Sequence, residues 1–152
     1  MVALAPIGLT HLFMACSPAS TSADGDVADA YAVVIEWFAD RSSDDPDPLL
    51  VFVEARGEGF EIELPAQASV VEASASFADV QFIDDRSEAI GDDGVRDDGI
   101  LLALGPAVMD GDGAIVECDE IVTSETMTSW RFELRYVRNE WLLVHEPTEL
   151  EP

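Results

Sequence analysis

The chain has 152 residues and a formal net charge of −25, because 32 acidic side chains stand against seven arginines and no lysine. A field this negative repels phosphate backbones and anionic lipid head groups, so it disfavours nucleic-acid binding and direct adsorption to a membrane surface. An apolar fraction of 48% argues against disorder, which requires low hydrophobicity together with high charge. The composition therefore predicts a folded acidic domain, and its acidity fits either a high-salt habitat or codon bias.

The N-terminus carries an apolar leader, residues 1–15, which ends directly before Cys16. The leader is too short to span a bilayer, which takes about 20 apolar residues, and it is typical of a removable export segment. The junction FMAC and the polar stretch SPASTSADGD resemble the lipid-attachment site of bacterial lipoproteins. That resemblance implies a signal segment over residues 1–15, a lipid on Cys16, a flexible polar stalk over residues 16–25 and a single acidic domain over residues 26–152.

The export leader predicts where the protein works. A lipid on Cys16 would hold it in the cell envelope, facing outward, with the membrane contacted only through that anchor. The leader has no basic region, however, so three alternatives stay open: ordinary secretion, a cytoplasmic protein with a chance apolar N-terminus, and a true start further upstream.

The first half of the domain begins with apolar residues at helical spacing, which predict a helix over residues 26–40 with Asp26 as its N-cap. After a proline-containing loop the period changes to two, and strands are predicted over residues 49–55 and 60–64. An alanine- and serine-rich segment, residues 66–77, predicts a short second helix. The predicted order in the first half of the domain is therefore one helix, two strands and a short second helix.

The second half is dominated by strand patterns. Strands are predicted over residues 80–83 and 99–104, with an acidic loop between them, and an Asp-Gly-Asp-Gly turn precedes a strand over residues 114–122. Residues 129–137 and 140–146 alternate around a two-residue turn, which predicts a hairpin. This order of elements predicts an α+β fold in which the N-terminal helix packs on a curved, mainly antiparallel β-sheet.

Cys118 is predicted to be a buried thiol. It shares one strand face with Val116 and Val122, and no cation or histidine flanks it to lower its pKa. We therefore expect no thiol chemistry.

The strand face that holds Arg131 and Arg135 has two interpretations. The two arginines form a local anion-binding stripe, or they neutralise cross-strand carboxylates such as Glu117 and Asp119. The second is favoured, because opposite charges across a ladder are the ordinary way to relieve repulsion in an acidic sheet.

The turn at Asp110 and Asp112 begins like a calcium loop, but Ala114 and Ile121 stand where further ligands are needed. The other aspartate pairs would hold calcium only loosely. We expect no metal and no cofactor.

The run from Trp130 to Glu146, WRFELRYVRNEWLLVHE, resembles the last two strands of NTF2-like (SnoaL-like) domains. The resemblance implies a small-molecule pocket between helix and sheet, and its implied lining is aromatic with one histidine: Tyr31, Trp37, Trp130, Phe132, Tyr136 and His145. Aromatic residues at this spacing are also ordinary core residues, and His145 has no catalytic partner that spacing assigns.

The overall layout, with its GILLALGP strand, is equally similar to a diffuse group of exported bacterial lipoproteins of unknown activity. That resemblance implies location and fold alone. The sequence therefore favours an exported, lipid-anchored acidic binding or interaction module that is not an enzyme, with an envelope protein or a small ligand as its partner. An NTF2-like small-molecule binder or enzyme is the competing class, and a purely structural role is third.

Overall fold

The structure is a computed structural model, which describes residues 23–42 and 47–151. The leader, Cys16 and the first part of the stalk lie outside the described residues. In this part of the chain the α-helices are α1 (Ala23–Ser42) and α2 (Leu64–Ser74). The strands within the same ranges are β1 (Leu49–Ala55), β2 (Ala78–Phe82), β3 (Ile90–Gly91), β4 (Gly94–Val95), β5 (Ile100–Leu104), β6 (Val108–Asp110), β7 (Gly113–Ile121), β8 (Met127–Val137), β9 (Glu140–Leu143) and β10 (Thr148–Leu150).

One sheet organises the domain. Its strands lie in the order β10-β8-β7-β5-β1-β2, with β6 paired to β7 and β9 paired to β8. Strand β1 runs parallel to both β2 and β5, and the other pairings in this sheet are antiparallel. The predicted α+β fold, with the N-terminal helix on a curled, mainly antiparallel sheet, is confirmed.

Helix α1 covers one face of the sheet because its apolar residues recur on one side. Ala28, Tyr31, Ile35 and Phe38 follow the i, i+3, i+7 and i+10 pattern, and all are buried. The helix begins at Ala23, so the prediction of an N-cap three residues further on was wrong. Burying this apolar stripe holds α1 against the sheet.

The segment between β1 and α2 is where the strand prediction failed. Residues 60–63 are irregular, and of the predicted strand 60–64 only Ile62 is buried. Gly57 and Gly59, both with positive φ, turn the chain away from β1, and Pro65 suits the first turn of a helix. Helix α2 is then the crossover that two parallel strands require.

The predicted acidic loop between β2 and β5 has structure of its own. It contains the small β3–β4 hairpin and two 3₁₀ turns, Arg86–Glu88 and Arg96–Asp98. Its apolar residues join a second core on the sheet face opposite the helices, formed by Phe52, Ala89, Leu101, Ala103 and Ile121. The parallel half of the sheet is therefore covered on both faces.

The antiparallel half agrees well with the predicted hairpin. Phe132 lies opposite Val116 and Trp130 lies opposite Cys118 in the β7–β8 ladder, and these four side chains face the helices. Strand β7 ends one residue before Val122, which is exposed, so the placement of Val122 beside Cys118 was wrong. The short strands β6 and β10 were not predicted.

Candidate functional site

The candidate site lies on the sheet face that points away from the helices, on strands β6 to β9, and includes Arg56 from the end of β1. We call this the open face. Side chains alternate along a strand, so the residues of β7 and β8 between the buried positions project here. Its members are Arg56, Val108, Ile115, Glu117, Asp119, Arg131, Glu133, Arg135, Val137 and Leu142.

Asp119 is the centre of the open face, and only 7% of its surface is exposed. Its carboxylate accepts a 2.9 Å hydrogen bond from Arg56 Nε and a 2.6 Å bond from Ser129 Oγ. Arg56 also pairs with Glu117 through Nη1. Burial by itself lowers the pKa of Arg56, but its bonds to these two carboxylates outweigh burial and raise it. A carboxylate this buried is stabilised only while its partners remain.

The charges continue from this centre along β8. Arg131 lies between Glu117 at 3.9 Å and Glu133 at 3.8 Å. His145 Nε2 then lies 3.3 Å from Glu133 Oε2, and the hydrogen bond of His145 to the carbonyl of Glu146 is the main cause of its raised pKa. Cations and carboxylates thus alternate from Arg56, at the end of β1, across β7 and β8, and His145 joins them when it is protonated. This arrangement spreads the attraction over a network.

The pairing bears on the two interpretations of the arginine face. Arg131 contacts Glu117, as neutralisation requires, whereas the partner of Asp119 is Arg56. Arg135 is exposed and lies opposite Leu142 in the β8–β9 pairing, outside the network of ion pairs around Asp119. Arg56 and Asp119 are 63 residues apart in the chain, so no local pattern in the sequence joins them.

Aliphatic side chains border this network of arginines and carboxylates, which we call the charged ladder. Val108 is 58% exposed, Leu142 is 48% exposed and Val137 is 39% exposed. Val137 and Leu142 lie on the other side of the charges from Val108, where β8 pairs with β9. Val108 also lines a depression on this face, together with Arg56, Gly105, Pro106, Ile115, Glu117 and Arg131. Gly105 allows β5 and β7 to approach there, because a Cβ at that position would meet the carbonyl oxygen of Glu117 at 2.9 Å.

Three of the six aromatic-pocket residues come together between α1 and β8. Trp37 lies 5.1 Å from Trp130 and 5.4 Å from Phe132, measured between ring centroids, and both contacts are edge-to-face. Such contacts fill the space between helix and strand with ring edges and faces. The rings therefore contact one another where the resemblance implied a ligand.

The other three pocket residues lie apart. Tyr31 is buried, donates a 2.9 Å hydrogen bond to the carbonyl of Gly105, and has its pKa raised by burial. It also lines a small cleft beside Phe60 at the entry to α2. Tyr136 contacts Trp141, with the two rings tilted by 52°, and His145 lies beside the open face.

The remaining candidate groups have these positions. Cys118 is fully buried, and burial together with the nearby Asp119 carboxylate raises its pKa well above the usual range. Asp110 ends β6, and Gly111 turns the chain with a φ of 62°. Within residues 23–42 and 47–151, no cluster of three or more His, Cys, Asp or Glu side chains is placed to hold a metal ion.

Neither helix in the part of the chain that the structure describes combines the length and apolar character needed to cross a membrane. No protein-family model, curated protein or solved structure matches the chain.

Proposed function

We propose that this protein is an exported, lipid-anchored binding module whose open face holds a protein partner. The observation that carries the proposal is the composition of that face: exposed aliphatic side chains beside an ordered ladder of arginines and carboxylates. Apolar area together with arginine is typical of protein interfaces, whereas a solvated sheet face usually carries polar residues alone. The open face has both features.

Charge indicates the kind of partner. The protein carries a net charge of −25, and Asp110, Asp112 and Glu140 lie at the margin of the aliphatic residues. A partner with an apolar centre and a rim of lysine and arginine is complementary to this surface, and long-range attraction would speed its approach. The same charge repels a second copy of the chain.

Location rests on Cys16. An acyl chain there would tether the domain, while the negative field keeps the protein surface off anionic lipid. Replacing Cys16→Ser should move the protein from the membrane fraction to the soluble fraction. A Cys16→Ser protein that stays in the membrane fraction would show that the anchor is elsewhere.

The binding face is tested by the size of the complex in a mild detergent extract of membranes. We expect the wild-type protein to migrate well above the mass of its processed monomer, which is less than the 16.4 kDa of the full 152-residue chain. The double variant Val108→Glu/Leu142→Glu should migrate as the monomer, because buried carboxylates oppose binding. Val71→Glu is the matched control, since Val71 is 41% exposed on α2. Equal migration of the double variant and the wild type would reject the proposal.

A further inference from the structure

A second surface lies on the helix side of the sheet, where the end of α1 meets β8. Here the guanidinium carbon of Arg41 is 4.2 Å from the ring centroid of Trp37 and 5.0 Å from that of Trp130. The planes of the two indole rings are inclined by 61°, so the touching rings form two sides of a corner. Arg41 occupies this corner from the last turn of its own helix.

Two carboxylates fix the rings. The indole nitrogen of Trp37 donates to Glu146 Oε1 at 3.2 Å, and that of Trp130 donates to Glu120 Oε2 at 3.3 Å. Trp37 comes from α1, Glu120 from β7, Trp130 from β8 and Glu146 from the segment after β9, so four separate parts of the chain form the corner. Both carboxylates add negative potential where the ring faces already attract cations.

We infer that the Trp37–Trp130 corner is a binding site for a guanidinium cation, such as a partner's arginine, and that Arg41 is its internal ligand. Both Trp37 and Trp130 are half-buried, while Arg41 is exposed, so the occupant is the part that can leave. An arginine at the end of a helix commonly donates hydrogen bonds to the last carbonyl groups of that helix instead. The strongly negative protein raises the local concentration of any cation that competes with Arg41.

An internal ligand weakens the binding of an external one, because a tethered group acts at a high effective concentration. Removing it should therefore strengthen binding. We expect Arg41→Ala to bind N-acetyl-argininamide about tenfold more tightly than the wild type, the change that corresponds to losing one competing cation–π contact. The second substitution Glu146→Gln, added to Arg41→Ala, should reverse part of this gain.

Isothermal titration calorimetry of the full chain measures these affinities, and circular dichroism checks that each variant is folded. Arg138→Asn is the matched control: it removes one arginine from a distant turn and leaves a residue that tolerates the positive φ of 53° there. It should bind like the wild type.

N-acetyl-citrullinamide, which has the same shape without the charge, should not bind. The inference is overturned if Arg41→Ala binds no more tightly than Arg138→Asn, or if the citrulline compound binds as well as the arginine compound. This corner and the open face lie on opposite sides of the sheet. The result of this titration therefore does not decide whether the open face binds a partner.

Discussion

At the scale of single residues, the pairing of Arg56 with Asp119 is the feature on which the open face depends. The aspartate is nearly inaccessible to solvent, and its two hydrogen-bond donors come from β8 and from the end of β1. A buried charge costs several kcal/mol when its partners are lost, whereas an exposed pair contributes little. The buried Arg56–Asp119 pair thus contributes most of the stability of the charged ladder, and substitutions of its exposed members should cost little.

The substitution Asp119→Ala should lower the free energy of unfolding by about 3 kcal/mol, because it leaves Arg56 without its most buried partner. Glu117→Ala, on a carboxylate that is 39% exposed in the same ladder, should cost about 1 kcal/mol or less. Urea denaturation of both variants measures the two values. Similar losses for the two would mean that burial does not set the importance of these carboxylates.

At the scale of elements, the predictable parts were those that a local pattern specifies. The alternation of residues 129–137 predicted a strand, which is β8 in the structure, and helical spacing predicted a helix over residues 26–40, which lies within α1. The prediction of a strand over residues 60–64 was wrong, because three alternating apolar residues are too few to distinguish a strand from a loop that buries one side chain.

The open face could be predicted only in part, for a related reason. The shared face of Arg131 and Glu117 follows from alternation within neighbouring strands. Arg56 follows β1, which is two strands away from β7 in the sheet and 63 residues from Asp119 in the chain. That contact depends on the parallel β1–β5 pairing, and the sequence pattern did not indicate any parallel strands.

The β8–β9 turn offers a direct test of element geometry. Arg138 and Asn139 both have positive φ, at 53° and 74°, as in the turn type that asparagine-glycine favours. Replacing the pair with Asn-Gly should raise the free energy of unfolding by about 1 kcal/mol and the melting temperature by about 2–4 °C. Asn139→Val, a β-branched residue in the same conformation, should lower both. Thermal melts that show the opposite order would contradict the turn assignment.

At the scale of the whole molecule, charge is the dominant property. A net charge of −25 makes the compact state repel itself, and the described ion pairs use only some of the arginines. Screening lengths fall from about 10 Å at 0.1 M salt to about 3 Å at 1 M, so repulsion between distant carboxylates weakens as salt is added. The buried Arg56–Asp119 pair is screened far less.

Sodium chloride should therefore raise the melting temperature between 0.1 M and 1 M. Calcium at millimolar concentration should add no more than its ionic strength explains, because the turn after Asp110 lacks the remaining ligands of a calcium loop. Melts at matched ionic strength, with calcium or with chelator, separate the two effects. A calcium-specific rise that Asp112→Ala abolishes would make the turn a metal site.

The central claim is that the open face of the domain contacts a protein partner at the membrane. A photo-crosslinking amino acid placed at Leu142 on this face and, separately, at Val71 on α2 tests it most directly, since the two positions are similarly exposed, at 48% and 41%. Crosslinking in intact cells should join Leu142, and not Val71, to a different protein with a basic surface. Equal crosslinking from both positions, or from Leu142 only to a second copy of this chain, would contradict the account.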